Sequence, residues 1–148
     1  MKKLGLLVML SIALVACQSN PKQAALKEVP KDAPIIFIDT SFQAALQMAT
    51  LQNKKIFVDF HAKWCKPCRE MEAKEFSQTI VGEFYNRHFI NLKVDIQTPE
   101  GKQLKAKYGI RNYPTIVFMD AKGESLLGSE GYIDAAMLLD FGKDMVGK

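Results

Sequence analysis

Two cysteines separated by two residues, Cys65 and Cys68 in the run Trp64-Cys65-Lys66-Pro67-Cys68, are the side chains best suited to chemistry in this sequence. A pair at that spacing can cycle between dithiol and disulfide: one thiolate attacks a foreign disulfide, and the second then attacks the mixed disulfide that results. A purely structural bridge is a weaker explanation, because the chain entropy removed by a cross-link grows with loop length and this loop is very short. Zinc is the other chemistry that paired cysteines serve. It needs two further ligands, and His61 and His88 are the only histidines.

The third cysteine, Cys17, sits in different surroundings. Lys2 and Lys3 precede an apolar stretch from Leu4 to Val15 that is too short to span a bilayer comfortably, and the chain turns polar at Gln18-Ser19-Asn20. The segment Leu14-Val15-Ala16-Cys17 resembles a bacterial lipoprotein signal. That resemblance implies a signal peptide over residues 1–16, cleavage before Cys17, and acyl chains on Cys17 that hold the protein to a lipid bilayer, each buried CH₂ contributing about 0.8 kcal/mol. Gln18 is not the Asp that often retains such lipoproteins at the inner membrane, which leaves the outer membrane open as a destination. The expected location is extracytoplasmic, on the periplasmic side of a bacterial membrane, where disulfides persist. An ordinary secretory signal would also place the domain outside the cytoplasm.

Residues 17–34, with Pro21, Pro30 and Pro34 among Lys, Gln and Asp, read as a flexible tether. Residues 35–148 read as one domain, long enough to enclose its own core. The composition is that of an ordinary globular protein, with 48% hydrophobic and 24% charged residues. The formal charge of +4 falls to about +2 once Lys2 and Lys3 are set aside, and no basic stripe is interleaved with aromatics, so no nucleic-acid partner is expected.

The elements that must position the cysteines follow from hydrophobic spacing. Ile35 to Ile38 reads as a short strand, and Thr40 or Ser41 can cap a helix carrying Phe42, Ala45, Leu46 and Ala49 on one face. Ile56 to Phe60 reads as a strand buried on both sides that runs straight into the Cys motif. Helices are predicted over 69–76 and 79–86. Ile90, Leu92, Val94 and Ile96 alternate with Asn91, Lys93 and Asp95 as a half-buried strand. Pro99 opens another helix that Gly109 ends. Thr115 to Met119 and Glu124 to Ser129 form a hairpin around Ala121-Lys122-Gly123. Asp134 starts a last helix that turns Leu138, Phe141 and Met145 inward. The predicted order is β-α-β-α-α-β-α-β-β-α, an α/β sheet with helices on both faces.

Val58-Asp59-Phe60-His61-Ala62-Lys63-Trp64-Cys65-Lys66-Pro67-Cys68, followed by Tyr108-Gly109-Ile110-Arg111-Asn112-Tyr113-Pro114-Thr115, resembles thioredoxin, and the likeness covers roughly residues 35–146. Arg69-Glu70-Met71-Glu72 adds a likeness to the C-terminal domain of the bacterial transmembrane reductase DsbD. The resemblance implies the thioredoxin fold, a central mixed sheet with helices on both faces.

With Cys65 at a helix N-terminus, unpaired N–H groups and the helix dipole favour its thiolate, and Lys66 adds positive charge. Cys65 is then the nucleophile, and Cys68, expected to be the more enclosed, is the resolving thiol. By resemblance, Asp59 is the buried acid that exchanges a proton with the resolving thiol, Lys93 is the lysine facing that acid, and Tyr113-Pro114 is a cis-proline loop that presents backbone to an extended substrate. Trp64 borders the substrate surface, while Lys66 and Pro67 tune the redox pair.

No external cofactor and no metal are expected, since the Cys65–Cys68 disulfide is itself the electron carrier. The chain departs from thioredoxin at His61, where thioredoxin usually has Trp, at Lys66, where it has Gly, and at Ala73, where it has a kinking Pro. His61 could tune the thiolate or fill the rim.

The function these residues imply is a membrane-anchored protein-disulfide reductase, a monomer, acting on protein disulfides and re-reduced by a DsbD-like membrane donor. DsbA-type oxidants carry a large helical insertion and usually a His between the cysteines, and neither is present. A cytochrome c maturation-type thioredoxin or a disulfide isomerase stays open as an alternative. So does a non-catalytic binding or chaperone module that uses only the cis-proline groove.

Overall fold

The computed structural model describes residue 30 and residues 32–147. The predicted signal peptide, Cys17 and most of the tether lie outside the described residues. Five helices and four strands follow in the order α1 (Phe42–Gln52), β1 (Lys55–His61), α2 (Lys66–Met71), α3 (Thr79–His88), β2 (Phe89–Asp95), α4 (Pro99–Tyr108), β3 (Thr115–Met119), β4 (Ser125–Glu130) and α5 (Ala135–Val146). A π-helical turn, Glu72–Phe76, continues α2. The strands form one mixed sheet in the order β2-β1-β3-β4, with β1 and β2 parallel and the other pairs antiparallel.

Short polar side chains set the helix starts. Ser41, Thr98 and Asp134 each accept a backbone N–H from the first turn of α1, α4 and α5, at 3.2, 3.0 and 2.9 Å. Pro99 occupies a first-turn position of α4 where its missing N–H removes no hydrogen bond, and Gly109 ends the helix in the left-handed conformation at φ 65°.

β1 is buried over its five central residues, with a neighbour on each side and helices over both faces. On one face Ile56, Val58 and Phe60 pack with Ile90, Leu92, Val94, Val117 and Met119 against residues of α1 and α4. On the other, Phe57 packs with Phe89, Ile116 and Phe118 against Met71, Phe76, Tyr85, Leu138 and Met145. Phe57 is the hub of that second layer, lying 4.7–6.2 Å between ring centroids from Phe37, Phe76, Tyr85 and Phe118.

The predicted first strand is corrected. Of Ile35 to Ile38, only Ile38 makes a bridge, parallel to Leu92. The other backbone groups are taken by non-strand partners. Ile35 N–H donates to the Phe76 carbonyl at 2.9 Å, Ile36 N–H to Asn86 Oδ1 at 2.8 Å, and Asn86 Nδ2 to the Pro34 carbonyl at 2.9 Å. The segment also crosses α3 too closely for any side chain at Gly82, where a Cβ would sit 2.0 Å from the Ala33 carbonyl oxygen. β2 departs from the half-buried expectation as well, since Asn91 is buried and the strand is covered on both sides through Leu92.

Candidate redox site

β1 delivers the motif to the C-terminal end of the sheet, where the chain turns and α2 begins. Cys65 is the N-cap of α2, and Cys68 N–H donates to Cys65 Sγ at 3.2 Å. The two sulfurs are bonded to each other, with Cα atoms 5.3 Å apart. The expectation that Cys68 is the more enclosed is corrected: both cysteines are buried to a similar degree, Cys65 at 3% and Cys68 at 5% exposure, within the cluster that holds Phe60 and Ala62. Arg69 Nη1 donates to the Lys63 carbonyl at 2.6 Å and braces the turn from beneath. Lys66 extends into solvent with its Nζ 3.9 Å from Glu70, so its charge is shared with a carboxylate as well as with the cysteine rim.

Asp59 lies on the second face of β1, buried at 2% exposure, with Oδ1 lacking a protein hydrogen-bond partner among the described residues. Burial pushes its carboxyl up to about 7, the Lys93 charge pulls against that rise, and Glu72 adds to it. Strand register sets Lys93 directly beside Asp59. The Lys93 ammonium is 2.5 Å from a carboxylate oxygen of Glu72, one helical turn after Cys68. The Lys93–Glu72 pair thus links the sheet, beside Asp59, to the helix that carries both cysteines. Strand alternation alone puts Lys93 on the polar face of a half-buried strand. It is half-buried, its ammonium 5.6 Å from the centre of the Phe37 ring.

The peptide bond between Tyr113 and Pro114 is cis. The Pro114 carbonyl accepts from Gly131 N–H at 2.7 Å, and Thr115 Oγ1 donates back to the Asn112 carbonyl at 2.7 Å, so both flanks of the bend are held. Trp64 is 62% exposed and meets Tyr113 edge to face with ring centroids 5.8 Å apart. The exposed Trp64 and the half-buried Tyr113 therefore join the cysteine turn to the proline bend.

His61 is half-buried. Burial holds its imidazole below the ordinary value and the Lys93 charge lowers it further, so at neutral pH it brings little positive charge to the sulfurs. His88 ends α3 at the far end of the sheet, where Lys55 pairs with Phe89, and rests on Phe84. The two histidines of the zinc alternative are therefore separated by the length of β1. No group of three or more His, Cys, Asp or Glu side chains is gathered for a metal ion among the described residues.

One residue of this region escaped the sequence reading. Glu75 is buried in the π turn, accepting from the Tyr132 hydroxyl and, at 2.8 Å, from Ala135 N–H at the start of α5. Its spacing of four from Met71 put it on the inward side of the helix.

The thioredoxin-like domain family matches residues 42–145. Two curated relatives are thiol:disulfide interchange proteins DsbD. The Yersinia pestis protein is 30% identical over 127 residues, covering 84% of this chain and 21% of the relative. The Photorhabdus laumondii protein is 33% identical over 91 residues, covering 60% and 16%. The chain thus spans about a fifth or less of the length of the curated relatives it matches.

Among solved structures, a candidate disulphide-isomerase of Bacteroides thetaiotaomicron is 39% identical with a TM-score of 0.68, over 77% of this chain and 95% of that one. The oxidised C-terminal domain of Neisseria meningitidis DsbD is 26% identical with a TM-score of 0.61, over 74% and 98%. The chain belongs to the thioredoxin-like domain family.

Proposed function

We propose that this thioredoxin-like oxidoreductase is a protein-disulfide reductase working outside the cytoplasm and held to the membrane by lipid on Cys17. The observation that carries the exchange step is a buried carboxyl, Asp59, raised to about 7 beside the Lys93–Glu72 pair that reaches the cysteine-bearing helix, and the reducing direction is read from the likeness to the C-terminal domain of DsbD. A group that exchanges its proton near neutral pH suits the step in which a second thiol must be deprotonated.

In the reduced protein, the Cys65 thiolate at the head of α2 is favoured by the Cys68 N–H aimed at its sulfur. It attacks a substrate disulfide, forming a Cys65–substrate bond and releasing one substrate sulfur, which takes up a proton. Asp59 accepts the Cys68 proton, and Cys68 attacks Cys65 Sγ. The mixed disulfide breaks, the second substrate thiol leaves, and the Cys65–Cys68 disulfide remains. Two electrons have passed to the substrate, and a dithiol donor of the DsbD-like class returns them. Trp64, Tyr113 and Pro114 line the surface where an extended substrate would lie.

Among the described residues, no helix is long and apolar enough to cross a membrane. The proposed anchor is Cys17 with its preceding segment.

Insulin reduction driven by a dithiol tests the reading. Cys65→Ser is expected to abolish turnover, and Cys68→Ser to accumulate substrates bonded to Cys65, visible on non-reducing gels. Equal turbidity rates for wild type and Cys65→Ser would overturn catalysis and favour a binding module. Cys17→Ser is expected to release the protein from the membrane fraction.

A further inference from the structure

An open cleft of about 620 Å³ lies beside the proline bend, with Ile96 and Ile110 as its apolar floor and Gln97, Lys102, Lys105 and Arg111 among its walls. It adjoins the redox site at two points. Ile96 N–H donates to the carbonyl of His61, four residues before Cys65. The Lys105 ammonium lies 5.5 Å from the centre of the Tyr113 ring, which in turn meets Trp64.

The cleft brings three cations together, and none of them forms an ion pair among the described residues. The carboxylates on the flanking segments are engaged by local donors. Glu100 accepts from Phe42 N–H at 2.9 Å, Asp95 from Gln97 N–H at 2.9 Å, and Glu130 from Asn112 Nδ2. A concave wall with one sign of charge over an apolar floor concentrates ligands of the opposite sign.

We propose that this cleft selects polypeptide substrates that carry Asp or Glu beside the disulfide to be reduced, their carboxylates lying against Lys102, Lys105 and Arg111 while the half-cystine faces Cys65. This rests on the reductase reading and adds a preference to it. A polypeptide is the fitting occupant because Lys105 of the cleft wall borders Tyr113, which meets Trp64 beside the cysteine turn, so one extended strand could follow that line from the cations to the sulfurs. The wall is positive where the strand would leave the proline bend, and a basic flank there would meet like charge.

The test uses the reduced protein in single turnover, followed by the fluorescence of Trp64, the only tryptophan. Three peptides of equal length each hold one intramolecular disulfide, flanked by Glu, Gln or Lys. The Glu peptide is expected to react about tenfold faster than the Gln peptide at low salt, with the Lys peptide slowest and the spread narrowing as salt is added. Lys102→Glu/Lys105→Glu is expected to invert the order of the Glu and Lys peptides.

Equal rates for the three peptides in wild type would overturn the preference while leaving the reductase standing, and that comparison decides the matter even if the double variant fails to fold. Oxidised glutathione reacting as fast as the Glu peptide would assign the cleft to a small anionic disulfide and overturn the polypeptide assignment. No reaction with any peptide, the cysteines being shown free by thiol titration, would overturn the reductase reading and this inference together.

Discussion

The two faces of β1 are built from the same strand and do different work. On the face toward α1 and α4, Ile56, Val58 and Phe60 meet apolar neighbours from β2 and β3, with Thr115 paired to Phe60 at the cysteine end. On the other face, the aromatic cluster around Phe57 gives way within two residues to Asp59, with Lys93 and Asn91 on the adjoining strand. Alternation in a strand keeps the two sets apart. Away from the cysteine end, where Phe60 shares a cluster with Cys65 and Cys68, one side can therefore be packed for stability while the other keeps a carboxyl and an ammonium under cover, and substitutions at Ile56 and Asp59 should separate stability from chemistry.

The largest effect is expected on the apolar side. Ile56→Ala should cost about 2–5 kcal/mol in urea unfolding, while the reduction rate per folded molecule stays near wild type. A matching loss of specific activity would show that the two faces are not independent.

Asp59→Asn should act the other way. The folded carboxyl holds its proton up to about pH 7, whereas an unfolded Asp releases it near pH 4, so between those values the folded state binds more protons and this group's contribution falls as pH rises. Removing it should raise stability at pH 8 by roughly 2–4 kcal/mol and flatten the stability profile between pH 4 and 7. Insulin reduction at pH 7 should slow by about tenfold or more. An unchanged stability profile would show that Asp59 is not buried in solution.

A smaller loss, on the order of 1–2 kcal/mol, is expected for Asn86→Ala, which frees the backbone of residues 34–36. Hydrogen exchange should quicken at Ile36 while β1 amides stay protected. The finest test is a displacement rather than a loss. Lys93→Met should move the Asp59 titration upward and Glu72→Gln should move it downward, read by NMR of the Asp59 carboxyl carbon, because Lys93 holds the carboxyl down and Glu72 pushes it up. Shifts in the same direction would break the proposed linkage.

What could be read from the sequence was local. The caps at Ser41, Thr98 and Asp134, the stop at Gly109, and strands β1 and β3 follow from spacings within a few residues. Asp59 stood out because a carboxyl in an apolar run has to be explained. The unread features depend on partners far along the chain. The Ile35 to Ile38 run looked like a strand, and its failure to become one depends on Asn86, some fifty residues on. Glu75 carries no local sign of burial, since the groups that cover it, Tyr132 and Ala135, lie some sixty residues on. The π turn has no residue of its own to announce it, since Ala73 fits any helix. The cation cleft needed the fold to bring β2, α4 and the loop before Tyr113 together.

The Glu75 carboxylate holds the rear of the cysteine helix to the opening turn of α5, while Arg69 holds its front to the Lys63 carbonyl. These two ties oppose a swing of the helix when its sulfurs gain or lose a bond. The oxidised and reduced proteins should therefore present nearly the same silhouette, and a partner that tells them apart must do so by touching the sulfur atoms.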